Sequence, residues 1–571
     1  MDRKGIVAFL KSFVKQQKSE VNYGTYRETN RTSLLNDGLS TRANSVWKQS
    51  QFVVAYRNED ESSDNADLYL RGWLELTRGV FNQYLILECP QSVWTAYDKN
   101  GNVVDLAALK NVPQKEICEI TKNINSKGCI KRLSHYLYAL RTKPFMLLAG
   151  ISGTGKSRIV REFAFKSCPK YLQDKDSTTP GNYCMIEVKP NWHDSTELLG
   201  YYSRLGKGGY QFTKFVKFLV KAKMFPTVPF FVCLDEMNLA PVEQYFAEIL
   251  SILETRKHPK NVETGEVDMA TVKTETIIDA QYFRELSEMP HTKNAQTGEP
   301  FSSNLTDRDI YLKLFGMDTE SDIDEEVGER TDLSTEGLKL PDNVVIIGTV
   351  NMDDTTHQFS RKVIDRAMTI EMNGGNLRNM FGGSKNLEYL SESEQKEWQK
   401  AFTRRYVTAD EVLETHPEVA EELMDKLPAR LEQINSTLKG TPFEVSYRVL
   451  NELTIMVGVM LDEGKDLNEA IAQSVNNILL MKILPRIEGD AEMFALSREY
   501  KAKVNVSYDN RLEWLKDIAP DVNEPSADAE SEKDDREKKT GVVKEHQQTA
   551  KEKIQEMIDR LDNQEFTRFW P

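Results

Sequence analysis

Gly150-Ile-Ser-Gly-Thr-Gly-Lys-Ser157 decides how this chain is read. The spacing is Gly-x-x-x-x-Gly-Lys-Ser, which lets backbone N–H groups curl around a chain of phosphates. A Cβ at Gly153 or Gly155 would obstruct that curl. The flanks agree. Phe145-Met-Leu-Leu-Ala149 is a short apolar run of buried-strand type, and Arg158-Ile-Val-Arg-Glu-Phe-Ala-Phe165 has helical spacing, with Ile159, Val160 and Phe163 on one side. A strand, a glycine turn and a helix N-terminus suit a triphosphate. Lys156 is expected to reach the β- and γ-phosphates, and the Ser157 hydroxyl to ligate Mg2+. Gly150, Ser152, Gly153, Thr154, Gly155 and Arg158 are the other candidate contacts of the cradle.

Two later stretches supply what such a loop needs. Pro229-Phe-Phe-Val-Cys-Leu-Asp-Glu236 is an apolar run ending in two carboxylates. Asp235 is placed to hold Mg2+ and Glu236 to polarise an attacking water. Pro341-Asp-Asn-Val-Val-Ile-Ile-Gly-Thr-Val-Asn351 is a buried strand that delivers Asn351 at its C-terminal end, where ligands of parallel sheets lie. Asn351 is therefore a candidate contact to the γ-phosphate or the attacking water. Phe359-Ser-Arg-Lys-Val-Ile-Asp-Arg-Ala367 reads as a short helix with two arginines, followed by a last strand, Ala367-Met-Thr-Ile-Glu371. Arg366, and after it Arg361, is the candidate for insertion into a neighbouring subunit's site. Taken singly, either arginine is equally a surface ion pair. Arg448, opening a helix after Tyr447, is the candidate to reach the nucleotide from a helical lid.

The remaining segments set the domain plan. Residues 1–115 read as an α+β unit for target or partner binding, with a helical face at Ile6, Phe9, Leu10 and Phe13. Its strand-like runs are 51–56, 84–88 and 92–97, with a turn signal at Asn100-Gly101. Residues 116–390 form the α/β core: a parallel sheet flanked by helices, interrupted by a polar, acidic insertion at about 255–340 expected to be partly flexible. Leu133, Tyr136, Leu137 and Leu140 line one face of the helix that leads in. Residues 201–215 read as a hairpin-like insertion, and Val242 to Leu253 as one amphipathic helix. Residues 391–517 read as a helical lid. Residues 518–571 are a charged linker and a final amphipathic helix bearing Ile554, Met557, Ile558 and Leu561. Phe566, Phe569 and Trp570 then suggest docking, onto the core or onto a partner.

Composition excludes several classes. The formal charge of −15 over 571 residues leaves no overall basic footprint for nucleic acid, though a local patch stays open. No apolar run approaches the ~20 residues of a membrane span, and no signal-peptide core is present. The six cysteines are scattered and the seven histidines form no zinc spacing, so a cytoplasmic protein with reduced thiols is expected. Glu187-Val-Lys189 matches only the tail of a nuclease pattern and reads better as part of a core strand of the sheet.

Taken in order, Gly150 to Ser157, Trp192-His-Asp-Ser-Thr-Glu-Leu-Leu-Gly-Tyr201, Leu234-Asp-Glu-Met-Asn-Leu239, Gly348-Thr-Val-Asn-Met-Asp353 and Ser360-Arg-Lys-Val-Ile-Asp-Arg366 resemble McrB-type AAA+ NTPases. The resemblance spans roughly residues 130–500 and leaves out the N-terminal unit and the tail. It implies an AAA+ P-loop core with an α-helical lid and a homo-oligomer, a hexameric ring with nucleotide sites between subunits. It also implies a separate McrC-like nuclease partner, and DNA as the substrate of a restriction system. ATP is the expected nucleotide, with GTP possible, because Asn351-Met-Asp-Asp-Thr-Thr-His357 departs from the signature of GTP-using members. The alternatives are a MoxR-like chaperone that remodels protein and a nucleotide-gated scaffold or sensor.

Overall fold

The computed structural model describes residues 133–173, 179–205, 208–259, 267–269, 271–288, 305–317, 323–352, 359–372, 387–522 and 548–570, with residue 130 and the backbone of 85–88 and 95–98. The chain divides into two compact units, Met1–Leu133 with Lys538–Thr540, and Ser134–Glu537 with Gly541–Pro571. In the first, Leu85–Glu88 and Thr95–Asp98 pair antiparallel, as their sequence suggests. The N-terminal helical face, the run at 51–56, the Asn100-Gly101 turn and the charged stretch at 528–539 lie outside the described residues.

Five strands build the second unit's sheet: β1 (Phe145–Gly150), β2 (Tyr183–Glu187), β3 (Phe230–Asp235), β4 (Val344–Asn351) and β5 (Met368–Glu371). Their order is β5-β1-β4-β3-β2, and every pairing is parallel. Parallel neighbours need crossovers, and the helices that provide them bury both faces, which is why β1 and β3 are nearly continuous apolar runs. Period-two alternation sorts the side chains. Phe230 meets Phe218 of a helix at Lys214–Met224, with ring centroids 5.2 Å apart. Phe231, on the opposite face, meets Phe163 of α2 (Lys156–Ser167) at 6.1 Å. The lead-in helix α1 (Ser134–Thr142) buries Tyr136, Leu137 and Leu140, and Tyr136 packs edge-on against Phe163. β2 is an edge strand with mixed burial, so Glu187-Val-Lys189 lies on the rim of the sheet and not in its core.

One helical expectation changes. The run from Val242 breaks at Phe246 into Val242–Tyr245 and α3 (Ala247–Glu254), with Phe246 outside helical geometry at φ −109°, ψ 3°. Parts of the insertion are built into the core. Thr276–Ile278 pairs with Leu338–Lys339, and α4 (Asp307–Phe315) starts with a Thr306–Asp309 capping box. Ile278, Phe283, Ile310, Tyr311, Leu333 and Leu338 are buried and join the core on the Phe230 face. A few well-spaced apolar residues are enough to anchor a segment whose exposed positions are acidic.

The C-terminal helices include Ala420–Leu438, α5 (Tyr447–Asp462) and Leu467–Ile478, the last running into a π turn at Leu479–Ile483. α6 (Ala550–Gln564) follows a Thr549–Glu552 capping box and buries Ile554, Met557, Ile558 and Leu561. The chain then adds Phe566–Arg568 as a strand against Glu488–Asp490. Phe569 is buried, and Trp570 packs against the main core. Full burial of each such side chain is worth about 1.5–3 kcal/mol, ample to hold the tail on its own chain.

Candidate functional site

The C-terminal ends of β1, β3 and β4 bring one group of polar side chains together. Gly153 and Gly155 both take φ +84°, which an L side chain rarely adopts, and Gly155 precedes the first residue of α2. Gly150 is constrained differently: a Cβ there would lie 2.3 Å from the Met372 carbonyl oxygen. Ser152 is exposed, Arg158 projects from the exposed side of α2, and Thr154 Oγ1 donates to the Ile151 carbonyl. Lys156 is buried and its Nζ donates to the carbonyls of Gly150 (3.0 Å) and Ile151 (2.7 Å).

Alternation along β3 gives Asp235 the same face as Phe231, the face covered by α2. Ser157, near the start of α2, therefore meets it: Ser157 Oγ donates to Asp235 Oδ1 at 2.5 Å. A strict strand would throw the next residue to the opposite face. Glu236 instead turns left-handed, at φ 52° and ψ 48°. For a glutamate this conformation costs of order 1 kcal/mol and needs surrounding support. That support is visible. Glu236 N donates to Thr349 Oγ1 (3.0 Å), the same hydroxyl donates to Asp235 Oδ1 (2.8 Å), and Asn351 Nδ2 donates to Glu236 Oε1 (2.9 Å). Asn238 Nδ2 in turn holds the Asn351 carbonyl at 2.9 Å. Lys156, Ser157, Asp235, Glu236 and Asn351 thus stand together.

The arginines do not join them. Arg448 Nη2 lies 2.9 Å from Glu254 Oε2, and Arg366 Nε stands 3.9 Å from Glu254 Oε1. Arg366 also donates to the Lys362 carbonyl, and Arg361 lies over the Phe443 ring at 5.1 Å. Glu254 ends α3 and also meets Lys143, two residues before β1 begins. The cluster therefore sits at the N-terminal ends of the strands. The six residues of β1 separate it from the phosphate loop by about 20 Å. Beneath it Lys143 and Lys482 share Glu452, at 2.7 and 2.9 Å. Burial pulls Lys482 down to about 8; it would raise Glu452, but the two ammonium groups more than offset that and hold it below the usual carboxylate range.

Thr349 and Asn238 are members of the site that the motifs do not name. Thr349 was findable: it lies two residues before Asn351 and therefore on the same face of β4. Asn238 stands within Leu234-Asp-Glu-Met-Asn-Leu239, but only the turn after Glu236 reveals its use. Among the described residues no group of three or more His, Cys, Asp or Glu could hold a metal unaided. Ser157 and Asp235 do present the hydroxyl and carboxylate that suit a Mg2+ already carried by phosphates.

Fold and site define an α/β protein with a five-stranded parallel sheet, as in P-loop ATPase-like folds, with a phosphate-loop sequence at the end of its second strand in spatial order. A family model described as a domain of unknown function (DUF8727) matches residues 396–566. No curated protein matches the chain. Among solved structures, a "putative ATPase" from Cytophaga hutchinsonii ATCC 33406 is 15% identical, covering 71% of this chain and 94% of that one, with a TM-score of 0.32. No described helix is long and apolar enough to cross a membrane.

Proposed function

We propose that this chain is a nucleoside triphosphatase that hydrolyses ATP, with GTP as the alternative nucleotide. The observation that carries the reading is the contact of Ser157 Oγ with Asp235 Oδ1, with the Glu236–Asn351 pair beside it. Ser157 and Asp235 would hold Mg2+ entering with the triphosphate, where it would neutralise charge on the phosphate oxygens. Lys156, bonded to two neutral carbonyls of its own loop, would exchange them for anionic oxygens. Glu236, oriented by Asn351 and fixed by Thr349, would accept the proton of the attacking water. Arg366, with Arg361 as second choice, would come from a neighbouring copy, because its own phosphate loop is out of reach. In this reading Arg448 shares that origin.

The finer reading is a ring-forming AAA+ motor of a McrBC-like DNA restriction system with a separate nuclease subunit. Its support is the ordered set of five sequence motifs. Residues 1–115 would read the target or dock a partner, and 391–517 would act as a lid. Replacing Glu236 by Gln is expected to slow steady-state hydrolysis by about 10²-fold or more while nucleotide still binds. Unchanged turnover would remove Glu236 from the role. Purification of the intact chain from its host, with mass spectrometry of what accompanies it, tests the partner: a nuclease subunit is expected.

A further inference from the structure

β5 is an edge strand: among the described residues it pairs only with β1. Two buried lysines from the C-terminal part of the chain grip its ends. Lys482 holds the approach, donating to the carbonyls of Asp365 (2.6 Å) and Ala367 (3.0 Å). Lys553 of α6, fully buried at 0% exposure, holds the exit, with Nζ 2.5 Å from Glu371 Oε2 and also donating to Glu556 Oε2 of its own helix at 3.1 Å. The Phe569 ring covers that ammonium at 4.7 Å.

Met372, the residue after Glu371, touches the phosphate loop. Its N–H donates to the Ala149 carbonyl at 2.7 Å, and its own carbonyl occupies the space a Gly150 Cβ would need. Gly150 in turn offers its carbonyl to Lys156 Nζ at 3.0 Å. Lys553, Glu371, Met372, Gly150 and Lys156 are therefore linked contact by contact. Packing alone does not ask for a charge at 553: a buried ion pair is commonly matched or bettered by apolar residues of similar volume, and Ile554, Met557 and Ile558 already supply the apolar face. What the ammonium adds is a counter-charge for the Glu371 carboxylate, which has no hydrogen-bond donor among the described residues, and hence a hold on the backbone that backs the loop.

We infer that the tail, residues 548–570, is a positioning element for the phosphate loop, acting through Lys553 on Glu371, and that tail docking and triphosphate binding are linked. This rests on the nucleotide reading above. Linkage is reciprocal: if the docked tail tightens nucleotide binding, bound nucleotide must tighten docking by the same factor.

The test uses the full chain and a fluorescent ATP analogue with Mg2+. Lys553→Met and Glu371→Gln are each expected to weaken binding on the order of tenfold. The double variant is expected to bind no more weakly than the single ones, and Lys553→Arg to stay within about two-fold of the native chain. If Lys156→Ala abolishes binding while Lys553→Met binds like the native chain, the inference falls and the nucleotide reading stands. If the native chain does not bind, or Lys156→Ala binds as tightly, both fall. Hydrogen exchange of the native chain decides the matter without any variant. Adding the Mg2+ nucleotide is expected to slow exchange in 550–568 more than in α4, and an unchanged rate in the tail would overturn the linkage.

Discussion

Thr349 is the hinge of the site at the scale of single residues. One hydroxyl supports Asp235 and accepts the N–H of Glu236, so both acidic groups depend on it. Thr349→Val keeps the shape and deletes both bonds, leaving a part-buried N–H unpaired beneath a left-handed glutamate. The expected result is a loss of about 1–3 kcal/mol in chemical denaturation and a fall in hydrolysis exceeding any change in nucleotide affinity. Measured turnover equal to the native chain would show that Asp235 and Glu236 hold their places without it. Gly150 gives a second, harder case. Alanine there must displace the Met372 carbonyl, which is backbone bonded back to β1, so the strand end itself must move. Gly150→Ala is expected to cost more than about 2 kcal/mol and to lose nucleotide binding; a native melting temperature would refute it. These two residues also mark what the sequence shows. Gly150, Lys156, Asp235 and Glu236 are legible because their chemistry demands fixed residue types at fixed spacing. Thr349 and Asn238 are not legible in this way, because a hydroxyl or an amide serves many purposes, and only the β3–β4 register gives them theirs.

At the scale of elements, the described parts of the insertion show what composition leaves unsaid. Its sequence is acidic and weakly periodic, and within it α4 is pinned by Asp307, whose side chain is wholly buried. It accepts Leu333 N at 2.8 Å and lies 3.2 Å from Lys223 Nζ. Burial pushes its carboxyl up to about 6, against which the Lys223 charge pulls only partly. The unfolded carboxyl titrates near 4, so between about pH 4 and 6 the folded chain binds the extra proton and stability falls as pH rises; the shift corresponds to about 3 kcal/mol. Asp332 works in the opposite sense: burial would raise it, but its Lys223 hydrogen bond and charge hold it below the usual range. That contribution is complete above the unfolded pKa and fades only on further acidification. Asp307→Asn keeps an acceptor for Leu333 N and removes the charge. It is expected to flatten the decline between pH 4 and 6 in thermal melts and to equal or exceed the native chain at pH 8. A variant that melts earlier than native at pH 8 would mean that the Lys223 pair outweighs the burial of the carboxylate. The other elements were easier to foresee. The sheet strands announce themselves as apolar runs, and α6 through its spacing of Ile554, Met557, Ile558 and Leu561. The break at Phe246 has no comparable signal, since Val242 to Leu253 keeps its apolar periodicity across it.

For the molecule as a whole, the separation of its two charged centres limits how it can work. Lys156, Ser157, Asp235 and Glu236 lie at one end of the strands, and Arg366 and Arg448, both at Glu254, lie at the other, about 20 Å away. Side chains do not span that distance, and the strand between is held on both faces. If an arginine completes the phosphate site, it must belong to another copy placed head-to-tail, a heterologous contact that closes into a ring when the rotation permits. In that arrangement Glu254 would have a meaning beyond its ion pairs: it would keep both guanidinium groups oriented until a phosphate competed for them. Arg366→Ala and Lys156→Ala should each abolish hydrolysis, for different reasons. Mixed in equal amounts under assembling conditions, they should restore it in part, because a Lys156→Ala chain still offers its arginine to the intact loop of an Arg366→Ala neighbour. With random placement about a quarter of the junctions are competent, so recovery near that fraction of native turnover is expected. A mixture as inactive as its components, in a preparation shown by light scattering to be assembled, would place catalysis within single chains and leave Arg366 a structural partner of Glu254.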